Sequence, residues 1–138
     1  MPIKNYTTKI DVHKTLGEIH GALAAHGARK VMFDYDDAGE ISAICFSIIT
    51  PEGERGIKLP ANVDAAWKVL QNQHVKCDRE QAARVAWRII KDWVDSQMAI
   101  LETEMVQMDE VFLPYMIGDR AGTTLYQMYQ KNQLLLEG

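Results

Sequence analysis

The sequence predicts a mixed α+β fold: a small antiparallel sheet in the order β-α-β-β-β, followed by two or three helices, one of them long. Three observations carry this. Two β-rich stretches, Arg29 to Tyr35 and Ile41 to Ile49, bracket the turn-forming run Asp36-Asp37-Ala38-Gly39-Glu40. Val12, Leu16, Ile19 and Leu23 recur at helical spacing. From Ala61 to Leu113 neither Gly nor Pro occurs, so nothing local interrupts a helix there.

Taken in order, Ile3 to Ile10 carries Tyr6, Thr7 and Thr8, which suit a first strand, and Asp11 stands where a helix N-cap belongs. The first helix ends at Gly27, a C′ terminator. Gly17 and Gly21 lie four apart on it, and close packing of its backbone on a sheet is the expected reason. Val31, Phe33 and Tyr35 alternate along the next strand. The Asp36 to Glu40 loop then turns into Ile41 to Ile49, with Gly39 at a position of positive φ. Pro51-Glu52-Gly53-Glu54 is a second turn and Gly56 to Leu59 a short last strand.

Asn62 suits the cap of a second helix bearing Val63, Ala66, Trp67 and Leu70. Asp78, with Gln81 three residues on, has capping-box spacing for the long helix. That helix is expected to run to about Phe112, where Pro114 stops it. Gly118 to Gly122 reads as a flexible spot, and Thr123 or Thr124 as the cap of a last short helix ahead of Leu134, Leu135 and Leu136. One domain over 1–138 is expected, with the sheet and first helix in 1–60 and the helical part in 61–138. The expected core holds Val31, Phe33, Ile44, Phe46, Ile48, Leu16, Leu23, Trp67, Leu70, Ile89 and Trp93.

Composition is that of an ordered globular chain, 47% hydrophobic and 25% charged. A net charge of −4 argues against a dedicated duplex-DNA binder. Two cysteines in 138 residues make no disulfide framework, and neither a secretory leader nor an apolar run of membrane-spanning length is visible, so a cytoplasmic, membrane-free protein is expected. Charge is sorted along the back half. Arg79, Arg84, Arg88 and Lys91 come first, and Glu102, Glu104, Asp109 and Glu110 last. On one continuous helix this opposes the macrodipole. Antiparallel pairing of two copies answers that conflict, and a homo-oligomer, at least a dimer, is expected.

Chemical motifs are sparse. Asp34 to Gly39 imitates the opening of a calcium-binding loop, but Ala38 stands at a ligand position and Cys45 where a bidentate Glu belongs. His74 and Cys77 have the spacing of half a zinc site, without two further ligands in sequence. Cys45 lies in an apolar run and reads as inert core. No nucleophile elbow, phosphate loop or dinucleotide fingerprint occurs. No catalytic residue, metal or cofactor is expected, and the chain reads as a non-enzyme. The one dense cluster of binding-capable groups is Arg84, Trp87, Arg88 and Lys91, a basic stripe at helical spacing beside an indole. A second basic group, Lys4, Lys9, Arg29 and Lys30 with Tyr6 as a stacking ring, would rim the small sheet.

The stretches Asn5 to Ile10, Arg84 to Trp93 and Asp109 to Met116 together resemble a family of small uncharacterised proteins carried by phages and prophages of Gram-positive bacteria. The resemblance covers most of the chain and brings no functional residues with it. What it implies is context: a small, acidic phage-borne protein without catalytic motifs is often an inhibitor of host defence or an accessory of phage DNA metabolism. The leading expectation is therefore a non-enzymatic binding protein that blocks or sequesters a host antiviral component in the host cytoplasm. Acidic residues of 34–40 and 102–110 would then face the host protein. The alternative is a single-stranded nucleic-acid-binding accessory of phage replication or recombination.

Overall fold

A computed structural model describes residues 2–131. The leucine-rich end at Leu134, Leu135 and Leu136, expected to dock or bridge subunits, lies outside the described residues. The fold is mixed α+β, with one three-stranded antiparallel sheet and five α-helices among the described residues. The chain divides into two compact units, each assembled from two separated stretches: 1–26 with 61–99, and 27–60 with 100–138. Among the described residues no helix is long and apolar enough to cross a membrane.

The first unit is helical. α1 (Val12–Ala25) starts at Asp11, whose carboxylate accepts the His13 N–H at 3.0 Å, and buries Thr15, Leu16, Ile19 and Leu23 along one stripe. α2 (Val63–Asn72) is capped by Asn62, whose side-chain oxygen accepts the Ala65 N–H at 2.9 Å. α3 (Arg79–Glu102) begins where Asp78 accepts the Gln81 N–H at 2.8 Å. Val63, Leu70, Ala82, Val85 and Ala86 form the buried cluster joining α2 to α3, with Ile3, Trp67 and Ile89 packed against it. The Trp67 indole N–H donates to the Cys77 carbonyl at 3.2 Å and fixes the connection between the two helices.

Two expectations fail in this unit for physical reasons. Residues 4–7 form turns and no strand occurs over 3–10, so the order is α-β-β-β rather than β-α-β-β-β. Asn5 adopts a left-handed φ of 67°, Tyr6 and Thr8 N–H groups bond back to the Ile3 and Asn5 carbonyls, and the Gln81 amide donates to the carbonyls of Tyr6 and Thr8. Backbone groups that a ladder would need are satisfied by turns and by one helix side chain. The Gln81 side chain is thereby drawn away from the capping box expected at Asp78, of which only the Asp78 half forms.

The long helix also stops early. Its 24 residues span about 36 Å, not the roughly 50 Å of an unbroken run to Phe112. The Thr103 hydroxyl donates to the Ile100 carbonyl, the Met105 N–H donates to that same hydroxyl, and Glu104 sits at φ 63°. Local side-chain bonding competes here with the helical ladder. Asp109 and Glu110 consequently occupy the first turn of a new helix, α4 (Met108–Phe112), where the macrodipole favours them.

In the second unit β1 (Val31–Tyr35), β2 (Ile41–Thr50) and β3 (Gly53–Pro60) form an antiparallel sheet with β2 in the middle. The hairpin between β1 and β2 closes on Asp36, whose carboxylate accepts the N–H groups of Ala38 and Glu40, both at 2.9 Å, with Gly39 at φ 81°. Pairing of β1 shifts register between Asp34 and Tyr35. On one face of the sheet Ile44, Phe46, Ile48, Ile57 and Leu59 are buried, and Phe112 of α4 meets Phe46 edge-on with ring centroids 5.1 Å apart. A 3-10 turn (Leu113–Tyr115) leads to Met116, which bridges Ile57, and to Ile117, whose N–H donates to the Gly56 carbonyl at 2.8 Å. Thr124 caps α5 (Leu125–Gln130) in a full capping box with Gln127. The 118–122 stretch, expected to be loose, is a closed turn. Asp119 accepts the N–H groups of Ala121 and Thr123 at 3.0 and 2.9 Å, and Gly122 takes φ 83°.

Gly17 and Gly21 do not have the packing role expected of them. Both are exposed, and a Cβ at either would meet nothing within 4 Å. Nothing in the structure explains them. Gly17→Ala and Gly21→Ala should therefore each raise stability by about 0.5–1 kcal/mol, read as a higher denaturation midpoint at unchanged m-value. A loss of stability in either variant would reveal a contact that these helix positions do not show.

Candidate functional site

Helix propensity and local pairing settle the first candidate cluster. Trp87 is 1% exposed, so its indole offers no stacking face to a ligand. Arg88 donates to Glu18 at 2.7 Å, Lys91 lies 3.8 Å from the same carboxylate and 2.6 Å from Asp95, and Arg84 pairs with Glu80 at 3.1 Å. Arg79 is bound to Asp64. The basic stripe thus finds its carboxylates on α1, α2 and α3, and the charge imbalance that argued for pairing two copies is met inside the helical unit. Hydrogen bonding to Asp95 raises the Lys91 ammonium above its ordinary value.

The second cluster is divided between the units. Lys4 lies 3.1 Å from Asp92, which also accepts the Asn5 amide at 2.8 Å. Tyr6 is partly exposed and Lys9 exposed. In the other unit Arg29 and Lys30 are exposed at the start of β1, and Lys30 lies 3.3 Å from Glu54. Ser47 first, and then Lys30, holds the Glu54 carboxyl below its ordinary value. Of these residues, Lys30 opens onto a built cavity.

That cavity follows from the register of β2. Side chains alternate between the two faces of a strand, so Ala43, Cys45, Ser47 and Ile49 lie opposite the buried face. The pairing sets Met32, Cys45 and Lys58 in one row across the three strands, Asp34 and Ala43 in the row to one side, and Ser47 with Gly56 in the row to the other. Gly56 contributes no side chain, and Ile117 lies over it: a Cβ there would come within 3.2 Å of the Ile117 Cδ1. The result is a cleft of about 370 Å³ floored by Cys45 and Ser47, walled by Met32 on one side and Ile117, Ala121 and Gly122 on the other, with Lys30, Asp34 and Lys58 at its rim. Met32 and Ile49 are 61% and 60% exposed on this same face.

A second hollow of about 380 Å³ adjoins the first at Lys58, Ala121 and Gly122 and continues to Thr123, Gln127, Gln130 and Lys131. The first is lined mainly by apolar groups and the second by polar ones. The Asp34 carboxylate lies 3.7 Å from the Lys58 ammonium and 3.6 Å from the Cys45 thiol. Burial pushes the Cys45 thiol up to about 11, and Asp34 adds to the rise. Burial likewise raises the Cys77 thiol. At neutral pH Cys45 is a protonated, apolar part of the cleft floor rather than a nucleophile.

Among the described residues no group of three or more His, Cys, Asp or Glu side chains is placed to hold a metal ion. In the calcium-like loop one carboxylate oxygen of Asp36 accepts two N–H groups of its own turn. Sequence reasoning singled out Lys30 but not Met32, Cys45, Lys58, Ile117 or Lys131 as site residues. The alternation along Ile41–Thr50 was the available signal, because it puts Cys45, Ser47 and Ile49 on a face of their own. Which residues of β1 and 116–124 join them depends on register and tertiary contact.

Two outcomes follow. In a Cys77→Ser variant the ultraviolet absorbance of the thiolate should rise with a midpoint near pH 11, and a midpoint at the 8.5 or so of a free thiol would show that Cys45 is not enclosed. At Asp92, burial raises the carboxyl, but the Asn5 amide and the Lys4 ammonium outweigh it and leave the group below its ordinary value. A carboxyl depressed in the folded state stabilises it above the unfolded value and loses that contribution as pH falls below about 4. The stability gap between wild type and Asp92→Asn should therefore shrink as the pH is lowered from about 6 to about 3, and a gap independent of pH would overturn the assignment.

No family model, no curated protein and no solved structure matches this chain.

Proposed function

We propose that this chain is a non-enzymatic binding protein that holds a partner protein against the open face of its sheet, and that the partner belongs to a host antiviral defence system. The observation that carries the binding surface is the pair of large apolar side chains, Met32 and Ile49, both more than half exposed on the face that bears the cleft. With Tyr35 of β1, also 61% exposed, they are the large apolar side chains that the sheet leaves in the open. The host-defence identity of the partner is supported by the phage-type resemblance of residues 5–10, 84–93 and 109–116, by the acidic balance of the chain and by the lack of catalytic signatures in its sequence.

The nucleic-acid reading has less behind it. Lys4 and Lys30 each lie against a carboxylate, and Cys45 and Ser47 are buried at the centre of the sheet face that bears the cleft, which leaves bases little flat surface there.

A lysate capture tests the proposal. Wild-type protein immobilised in a bacterial host lysate should retain a stoichiometric protein partner. Met32→Lys with Ile49→Lys, folded as judged by circular dichroism, should lose it by about tenfold or more. Equal capture by both would remove the open face from the reading. Labelled single-stranded DNA should show no anisotropy change at about 50 mM salt. Binding that falls steeply with salt and is abolished when Lys4, Lys9, Arg29 and Lys30 are changed to Glu would put the nucleic-acid reading in its place.

A further inference from the structure

We infer that the two adjoining hollows on the open sheet face form one bipartite site for an acidic peptide segment of the partner, with an apolar side chain in the Met32–Ile117 cleft and a neighbouring carboxylate over Lys58 and Lys131. The inference rests on the proposed protein-binding function and names the chemistry of the segment that this function requires.

The apolar half is defined by what lines it. Met32, the protonated Cys45 thiol and Ile117 surround a space of about 370 Å³, enough for one large aliphatic side chain with part of its backbone. The polar half differs in kind. Lys58, Lys131, Gln127 and Thr123 line it, and no carboxylate occurs among the described residues that do so. The Gln127 side-chain oxygen accepts the Thr124 N–H at 2.9 Å in the capping box, so what this side chain has left to offer a ligand is its amide NH₂. The nearest acids are engaged. Asp34 sits between Lys58 and Cys45. Asp119 closes its own turn, and the Thr123 N–H holds its carboxyl below the ordinary value. Lys58 lies 3.7 Å from Asp34 and Lys131 attracts Asp119 at longer range, contacts that leave both ammonium groups with donors for a further anion.

Lys58 joins the halves, since it lines both hollows. A ligand that fills both carries apolar bulk and negative charge a few ångströms apart. A peptide fits this better than a free fatty acid because Met32 in the wall of the apolar half is 61% exposed and the two halves differ in polarity, which suits a chain carrying separate side chains. Within a chain of net charge −4, a local cluster of lysines also selects acidic partners that the rest of the surface repels.

The probe is a short, capped, fluorescein-labelled peptide with one leucine flanked on both sides by glutamates, titrated with full-length protein at low salt. It should bind at least about tenfold more tightly than the same peptide with glutamines for glutamates, and the preference should fall as salt is raised. Lys58→Gln with Lys131→Gln should abolish the preference. Lys131→Gln alone, at an exposed position, should reduce it without affecting the fold. Decanoate tests the other source of an apolar carboxylate. Equal binding of the two peptides, an unaffected double variant, or saturable decanoate binding in place of the acidic peptide would each overturn the inference. Its failure is separable from that of the proposed function. If Lys58→Gln with Lys131→Gln leaves lysate capture intact while Met32→Lys with Ile49→Lys abolishes it, the protein-binding reading stands and the acidic-segment inference falls. If neither pair alters capture, the binding surface itself is wrong.

Discussion

The register of β2 between its two neighbours is the constraint on which the second unit depends. A strand paired on both edges cannot slip by one residue without exchanging its faces, and here the faces are chemically different. One presents Ile44, Phe46 and Ile48 to the interior. The other presents Cys45, Ser47 and Ile49, and sets Cys45 level with Met32 and Lys58. A single shift would carry three large apolar groups out of the interior face and dissolve the row that floors the cleft. The hairpin closed by Asp36 and the edge-on contact of Phe46 with Phe112 hold that register from its end and from its interior face.

In the helical unit the comparable role falls to charges placed where burial is partial. Arg88 is held by Glu18 and touches the Thr15 hydroxyl, so α1 and α3 are joined by a short polar bridge beside apolar contacts. Ion pairs at exposed positions contribute little, about 0–1 kcal/mol. The Arg88 side chain is only 14% exposed, however, and removing one partner of such a pair leaves the other charge desolvated. Specific geometry between helices, more than net stability, is what such a pair supplies.

Much of this architecture was legible where local chemistry decides it. Asp11, Asn62 and Thr124 cap the helices that their side chains announce, and the Asp36 loop turns as its composition requires. Reading failed where a distant group intervened. Tyr6, Thr7 and Thr8 favour a strand, yet Gln81, more than seventy residues away, takes two of the carbonyls such a strand would use. At Thr103 the failure was local but subtle, since a hydroxyl able to bond its own helix does not always end it. The cleft was the least legible part. Met32, Cys45 and Lys58 are unremarkable alone, and only the register and the fold-back of Ile117 over Gly56 bring them together.

The register shift between Asp34 and Tyr35 bears on how this protein avoids its own kind. β1 is one of the two outer strands of the sheet, five residues long, and an outer strand with a regular hydrogen-bonding edge is a template for uncontrolled pairing with other chains; the other, β3, is bridged at Ile57 by Met116. Shortness, a charged Asp34 and the irregularity at its end make β1 a poor template. Met32 and Ile49 are then left accessible from above the sheet while growth along its plane is discouraged.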